Sequence, residues 1–205
     1  MAKPFIITTS FICLIACSSL IQSAIAQSKT AQHEQQLLVA SQNFEQSCVR
    51  ALPTAVLLKT NVQQHRFQLK STQGDLPIAY AIESAELGQQ QNIRIENSGC
   101  EFYTLNIQLH LNAEKIEQKQ QLCQTCLVAE LKNLAQYFQI EEREFYLAGI
   151  EILEQQLKQR HAFEVGIGYQ LNETEDMPQL VQFKQIQKQA NGQYWIEFSN
   201  SIGPL

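Results

Sequence analysis

The sequence predicts a two-layer α+β domain, an antiparallel meander sheet covered on one face by an N-terminal helix and a central helical hairpin. Three observations predict it. Apolar residues recur at three- and four-residue spacing near the start and in the middle of the chain. They alternate with polar residues at a period of two on either side of that middle. Gly and Pro punctuate the alternating stretches. A strand with one apolar and one polar face is buried on one side only, the habit of antiparallel sheets, and its apolar face needs a covering layer.

Residues 1–26 stand apart from this pattern. Lys3, an apolar run from Phe5 to Ile21, and small residues at Ala24 and Ala26 ahead of Gln27 read as an export signal cleaved between Ala26 and Gln27. Leu14-Ile15-Ala16-Cys17 resembles a lipoprotein processing site and makes lipidation at Cys17 the alternative. Leu20, Ile21 and Ile25 continue the apolar region past Cys17, which favours ordinary cleavage. The expectation is therefore a periplasmic or secreted protein whose single domain spans 27–205, with an outer-membrane lipoprotein as the alternative.

Within that domain, Leu37, Leu38, Ser41, Phe44 and Cys48 form a stripe along a helix predicted over Thr30–Arg50, which Pro53 ends. Short strands follow, with Val56 and Leu58, Phe67 and Leu69, Leu76 to Ile82, and Ile93 and Ile95 on their apolar faces. The clearest strand is Glu101–Leu111. Tyr103, Leu105, Ile107, Leu109 and Leu111 share one face; Thr104, Asn106, Gln108 and His110 share the other. Asn112 then caps a long helix carrying Ile116, Gln120, Cys123, Leu127, Leu131, Leu134 and Phe138. A second helix runs from Glu141 to His161, with acidic residues at its positive end and basic ones at its negative end. Strands resume at Phe163–Leu171, Leu180–Ile186 and, after the Asn191-Gly192 turn, Gln193–Ser199.

Composition bounds the function classes. The formal net charge is −5, one unit more negative once Lys3 is removed, and no Lys/Arg cluster exists to neutralise phosphates, which argues against nucleic acid. Beyond the first residues, no apolar run approaches the ~18 to 20 residues of a membrane-spanning helix. The abundant Gln residues give uncharged polar faces. Cys48, Cys100, Cys123 and Cys126 remain after processing, an even number suited to an oxidising compartment. Four cysteines permit three connectivities and the sequence does not choose; Cys48 with Cys100 and Cys123 with Cys126 is the favoured arrangement.

Cys123-Gln124-Thr125-Cys126 has the spacing of a dithiol redox site, in which a helix N-terminus stabilises the attacking thiolate. The predicted helix begins ten residues earlier and no βαβ setting surrounds the pair, so a structural role is the expectation. Catalysis by Cys123 with Cys126 resolving is the enzyme alternative. Leu127 in place of His excludes covalent haem attachment. His33, His65, His110 and His161 are scattered, so neither a metal nor another cofactor is expected. Ser98-Gly99-Cys100 offers a nucleophile without an identifiable base, and the turn at Glu173, Glu175 and Asp176 lacks calcium-loop spacing. One feature points to binding. Alternation turns Trp195, the single tryptophan, away from Tyr194, Ile196 and Phe198; it packs there across Gly166 and Gly168, or joins Thr104, Asn106, Gln108 and His110 in a patch that a protein partner contacts. A non-enzymatic exported binding protein, such as an inhibitor or immunity protein, is the leading expectation.

Overall fold

The computed structural model describes residues 31–88, 91–170 and 178–204. The export signal, its cleavage at Ala26 and Gln27, lipidation at Cys17 and the acidic turn at 173–176 lie outside the described residues.

The structure opens with a helix, α1, over 31–47. It continues with strands β1 (Gln63–Ser71), β2 (Ala79–Leu87), β3 (Gln91–Ser98) and β4 (Tyr103–Asn112). A single helical turn α2 (Ala113–Ile116), a miniature hairpin β5 (Glu117–Gln118) and β6 (Gln121–Leu122), and helix α3 (Gln124–Asn133) come next. A 3-10 turn at Leu134–Tyr137 leads into α4 (Ile140–Arg160), and β7 (Gly168–Gln170), β8 (Gln179–Lys188) and β9 (Gln193–Ile202) complete the chain. Seven of the strands form one antiparallel sheet in the order β1-β2-β3-β4-β9-β8-β7, in which only β7 is short. Two meanders are thus joined at β4 and β9 rather than one running the length of the sheet.

Period-two burial is nearly unbroken in the central strands. In β2, β3, β4 and β9 every second side chain is buried and the intervening ones are at least half exposed or partly covered. The buried set, including Ile95, Ile107, Phe183 and Phe198, packs against Leu127 and Leu131 of α3 and Ile150 and Leu153 of α4. Antiparallel α3 and α4 are clamped by Tyr146, whose hydroxyl donates to the Leu131 carbonyl at 2.7 Å while its ring stacks on Phe138 at 4.3 Å. At mid-helix, a Cβ added to Gly149 would lie 2.7 Å from the carboxamide of Asn200 on β9. Glycine therefore lets α4 approach the sheet closely enough for Asn200 Nδ2 to donate to the Phe145 carbonyl at 2.9 Å.

α1 covers one end of the same face through Ala40 and Phe44, which meet Ala79. Its buried stripe runs Ala40 and Phe44 with Leu37, Ser41 and Cys48 partly covered, whereas Leu38 is half exposed, because the sheet meets only a narrow sector of the helix. A disulfide joins Cys48 to Cys100 with an S–S distance of 2.12 Å, fastening the end of α1 to the turn after β3. Arg50 then lies over the Tyr103 ring and donates to Asn97 Oδ1 at 2.8 Å and to the Ser98 carbonyl at 3.1 Å. The following segment straps across the core. Leu57 bridges Phe138, and the N–H groups of Val56 and Leu57 donate to the buried carboxylate of Glu83, which also meets His65 Nε2 at 2.5 Å.

Four predicted elements differ. Val56 and Leu58 belong to no strand, and Leu57 between them forms only an isolated bridge to Phe138. The strand expected at Leu76–Ile82 begins at Ala79 and buries the other face, Ala79, Ala81 and Glu83, leaving Tyr80 and Ile82 partly covered. The long helix from Asn112 is broken: Lys119 and Gln120 have φ of 52° and 66°, a tight turn between β5 and β6, and a new helix starts after Cys123. The strand predicted over Phe163–Leu171 forms only at Gly168–Gln170. Gly166, at φ 88°, turns the chain ahead of it, leaving Val165 and Ile167 about half exposed while Phe163 stacks on Phe183. No helix among the described residues is long and apolar enough to cross a membrane.

Candidate functional site

With α1, α3 and α4 all on one face, the opposite face of the sheet carries no covering element among the described residues. Strand register decides what meets there. His110 pairs with Trp195, Gln108 with Glu197, Asn106 with Ser199 and Thr104 with Ser201. Thr104, Asn106, Gln108 and His110 thus lie on one face of β4, and of the four only His110 is paired with Trp195. The imidazole of His110 and the indole lie nearly parallel, 18° apart with centroids 6.5 Å apart. Trp195 does not pack across Gly166 and Gly168, which belong to the far edge; a Cβ on Gly168 would meet Leu180 instead.

The aromatic pair forms one end of a groove of about 390 Å³. Its remaining lining includes Arg66, Ser84, Asn92, Arg94 and Gln108. Arg66 faces Ser84, Ser84 faces Arg94, and Arg94 faces Gln108, so one transverse row across β1–β4 carries two guanidinium groups. Arg94 Nη1 reaches Gln108 Oε1 at 3.5 Å, a long contact, and among the described residues neither arginine forms a salt bridge. Glu86 also lines the groove, so its charge is cationic on balance rather than uniform. The arginines were not legible as site residues, since each is a lone charge on its own strand and only register unites them. Chemically the groove offers a flat aromatic platform and two forked donors matched to carboxylates.

The second chemical feature lies on the other side of the molecule. Cys123 and Cys126 are bonded, with an S–S distance of 2.05 Å. Cys123 is not inside a helix but is the N-cap of α3, its Sγ accepting from the Cys126 N–H at 3.2 Å and lying 3.3 Å from Thr125 Oγ1. The expectation that the helix begins ten residues before this cysteine is therefore overturned, and Cys123 lies at the positive end of the α3 dipole. The β5–β6 hairpin supports the pair. Glu117 Oε1 accepts from Lys188 Nζ at 2.6 Å and from the Tyr194 hydroxyl at 2.7 Å, which moors the hairpin to the sheet. These bonds hold the Glu117 carboxyl below its ordinary range.

Beneath the strap, Glu142, Tyr103 and Arg50 form a polar cluster in which the Tyr103 hydroxyl donates to the Glu142 carboxylate. Burial pushes the Glu142 carboxyl up, against the opposing influence of the Tyr103 bond and the Arg50 charge. Burial also pushes the Tyr103 phenol far above its usual range, with Glu142 adding to it. His110, on the outer sheet face, takes no part at the disulfide, and no group of three or more His, Cys, Asp or Glu arranged for a metal occurs among the described residues.

Fold and site together define a two-layer α+β protein with one open, polar-aromatic sheet face. No family model matches this chain, and no match was found among the curated proteins or the solved structures. The two disulfides accord with an extracytoplasmic location.

Proposed function

We propose that this is an exported protein of the periplasm or extracellular space that binds another protein through the open face of its sheet, in the manner of an inhibitor or immunity protein. The observation that carries the reading is the groove where the Trp195 and His110 rings adjoin Arg66 and Arg94, two guanidiniums without a salt-bridge partner among the described residues. Trp and Arg are the residue types that dominate binding energy at interfaces, and the arginines select for carboxylates. The partner segment is accordingly acidic, lying across the strands with an apolar or planar side chain against the indole.

Trp195 is the only tryptophan in the chain, so its fluorescence reports this groove alone. Titration with synthetic acidic and basic peptides of matched length should give a saturable change for the acidic one only. That change should weaken with rising salt and fall at least tenfold in affinity in the Arg66→Ala/Arg94→Ala variant. Equal responses to both peptides, or affinity unchanged by the double substitution, would refute the reading. The salt dependence follows from screening of partly exposed charges.

A further inference from the structure

The Cys123–Cys126 bond has an environment that a staple does not require. It links residues only three apart, against 52 for Cys48–Cys100, so it closes almost no loop in the unfolded chain. Its Cys123 sulfur sits at the N-terminus of the ten-residue α3, within reach of a backbone N–H and a hydroxyl, the donors that stabilise a thiolate. Cys123 lines a cleft of about 590 Å³ together with Lys119, His161 and Leu157. At Thr125 and Leu157 this cleft runs on into a furrow between α3 and α4 that includes Val128 and Ala129. The turn that places Lys119 at the cleft holds two consecutive non-glycine residues in the left-handed region, a backbone cost borne beside the disulfide.

We infer that Cys123–Cys126 is a redox-active disulfide that oxidises a pair of thiols in a polypeptide, which meets the partly exposed Cys126 beside the cleft that Cys123 lines. Cys126 is the more exposed of the two and Cys123 the better leaving group. A substrate thiolate attacks Cys126 Sγ; the bond to Cys123 breaks and its electron pair stays on Cys123 Sγ. The second substrate thiolate then attacks the substrate sulfur of the mixed disulfide, closing the substrate's own bond and releasing Cys126 as thiolate. One substrate dithiol loses two electrons, Cys123–Cys126 gains them, and the two protons of the substrate thiols pass through solvent to the two cysteines. A disulfide compound such as oxidised glutathione restores the pair by the reverse exchange. This activity is independent of the sheet-face groove.

The full chain is equilibrated in glutathione buffers of graded ratio, acid-quenched, alkylated and mapped by mass spectrometry. Cys123–Cys126 should open at a ratio of reduced to oxidised glutathione at least tenfold lower than Cys48–Cys100, with near-ultraviolet circular dichroism unchanged. Opening of both bonds together, or only as the fold melts, overturns the inference. During the exchange, glutathione should be trapped on Cys126; trapping on Cys123 overturns the assigned roles. A reduced synthetic peptide bearing two cysteines should be oxidised to one equivalent per chain, and the Cys123→Ala/Cys126→Ala variant, still holding Cys48–Cys100, should oxidise none. Equal oxidation by both proteins refutes it.

Discussion

Gly149 offers a substitution whose sign depends on one other residue. Alanine is the better helix former by about 1 kcal/mol, so Gly149→Ala in the interior of α4 should by itself stabilise. In this fold, however, the new Cβ would stand 2.7 Å from the Cγ, Oδ1 and Nδ2 of Asn200, which is only 1% exposed. The carboxamide must move, and it holds two bonds: Nδ2 to the Phe145 carbonyl at 2.9 Å, and Oδ1 from Gln179 Nε2 at 2.8 Å. Overpacking costs ~1 to 3 kcal/mol and unsatisfied buried polar groups a further ~1 to 3, so the net loss after the helix gain is about 1 to 5 kcal/mol. Asn200→Ala alone is destabilising for the same lost bonds, but it removes the obstacle. In that background Gly149→Ala should be neutral or stabilising by up to about 1 kcal/mol, a coupling of roughly 3 kcal/mol between the two sites. Urea titration of the four proteins, with midpoints compared at constant m, measures it. If Gly149→Ala destabilises equally in both backgrounds, the close approach of α4 to β9 is not what requires the glycine.

Replacing each disulfide by alanines should separate the two bonds: the chain-entropy model assigns about 4 kcal/mol to Cys48–Cys100, spanning 52 residues, and about 2 kcal/mol or less to Cys123–Cys126, spanning three. Equal losses in chemical denaturation would contradict that order. For Glu142, burial raises the folded-state pKa above the unfolded value of 4.5, so the folded protein holds a proton that the unfolded chain has already released. The associated stability is complete below about pH 4.5 and declines as pH rises through the folded pKa. Glu142→Gln should therefore gain on the wild type as pH rises from 4.5 toward neutrality, and parallel stability profiles over that range would count against it.

The elements most legible in the sequence were those whose burial is decided locally. In β4 the alternation from Tyr103 to Leu111 is a direct image of a sheet covered on one side, and α4 carries both its stripe and its end charges. The break before α3 was hidden because Ile116, Gln120, Cys123 and Leu127 keep helical spacing straight through the β5–β6 hairpin. Its turn is made by Lys119 and Gln120, residues that do not announce a left-handed backbone as Asn-Gly would. The placement of Cys123 went wrong for that reason alone. At Phe163–Leu171 the alternation was genuine, but Gly166 turns the chain out of register with β8, which runs on to Lys188, and Val165 and Ile167 are left about half exposed. On the open face, the row beside Trp195 was readable as a row, since alternation is local. Which strand lies next to it, and hence the company of Arg66 and Arg94, depends on pairing between β4 and β9 across the whole helical insertion.

The bond between Cys48 and Cys100 also changes how the molecule would carry load. Tension applied to the chain ahead of Cys48 does not reach β1 through the backbone first; it crosses the covalent link to the end of β3, near the middle of the sheet. The 52-residue stretch containing the strap, β1, β2 and β3 is short-circuited, and the edge strand β1 bears none of the load. With the link intact, a pull between that end and the end of β9 enters the sheet at Tyr103 and Ile202, which are paired at the same end, so β4 and β9 open from there one bond after another. Cleave the link, and the load enters edge strand β1 at Gln63, at the opposite end of the sheet from Ile202, so that it runs along the strands and many hydrogen bonds must fail together.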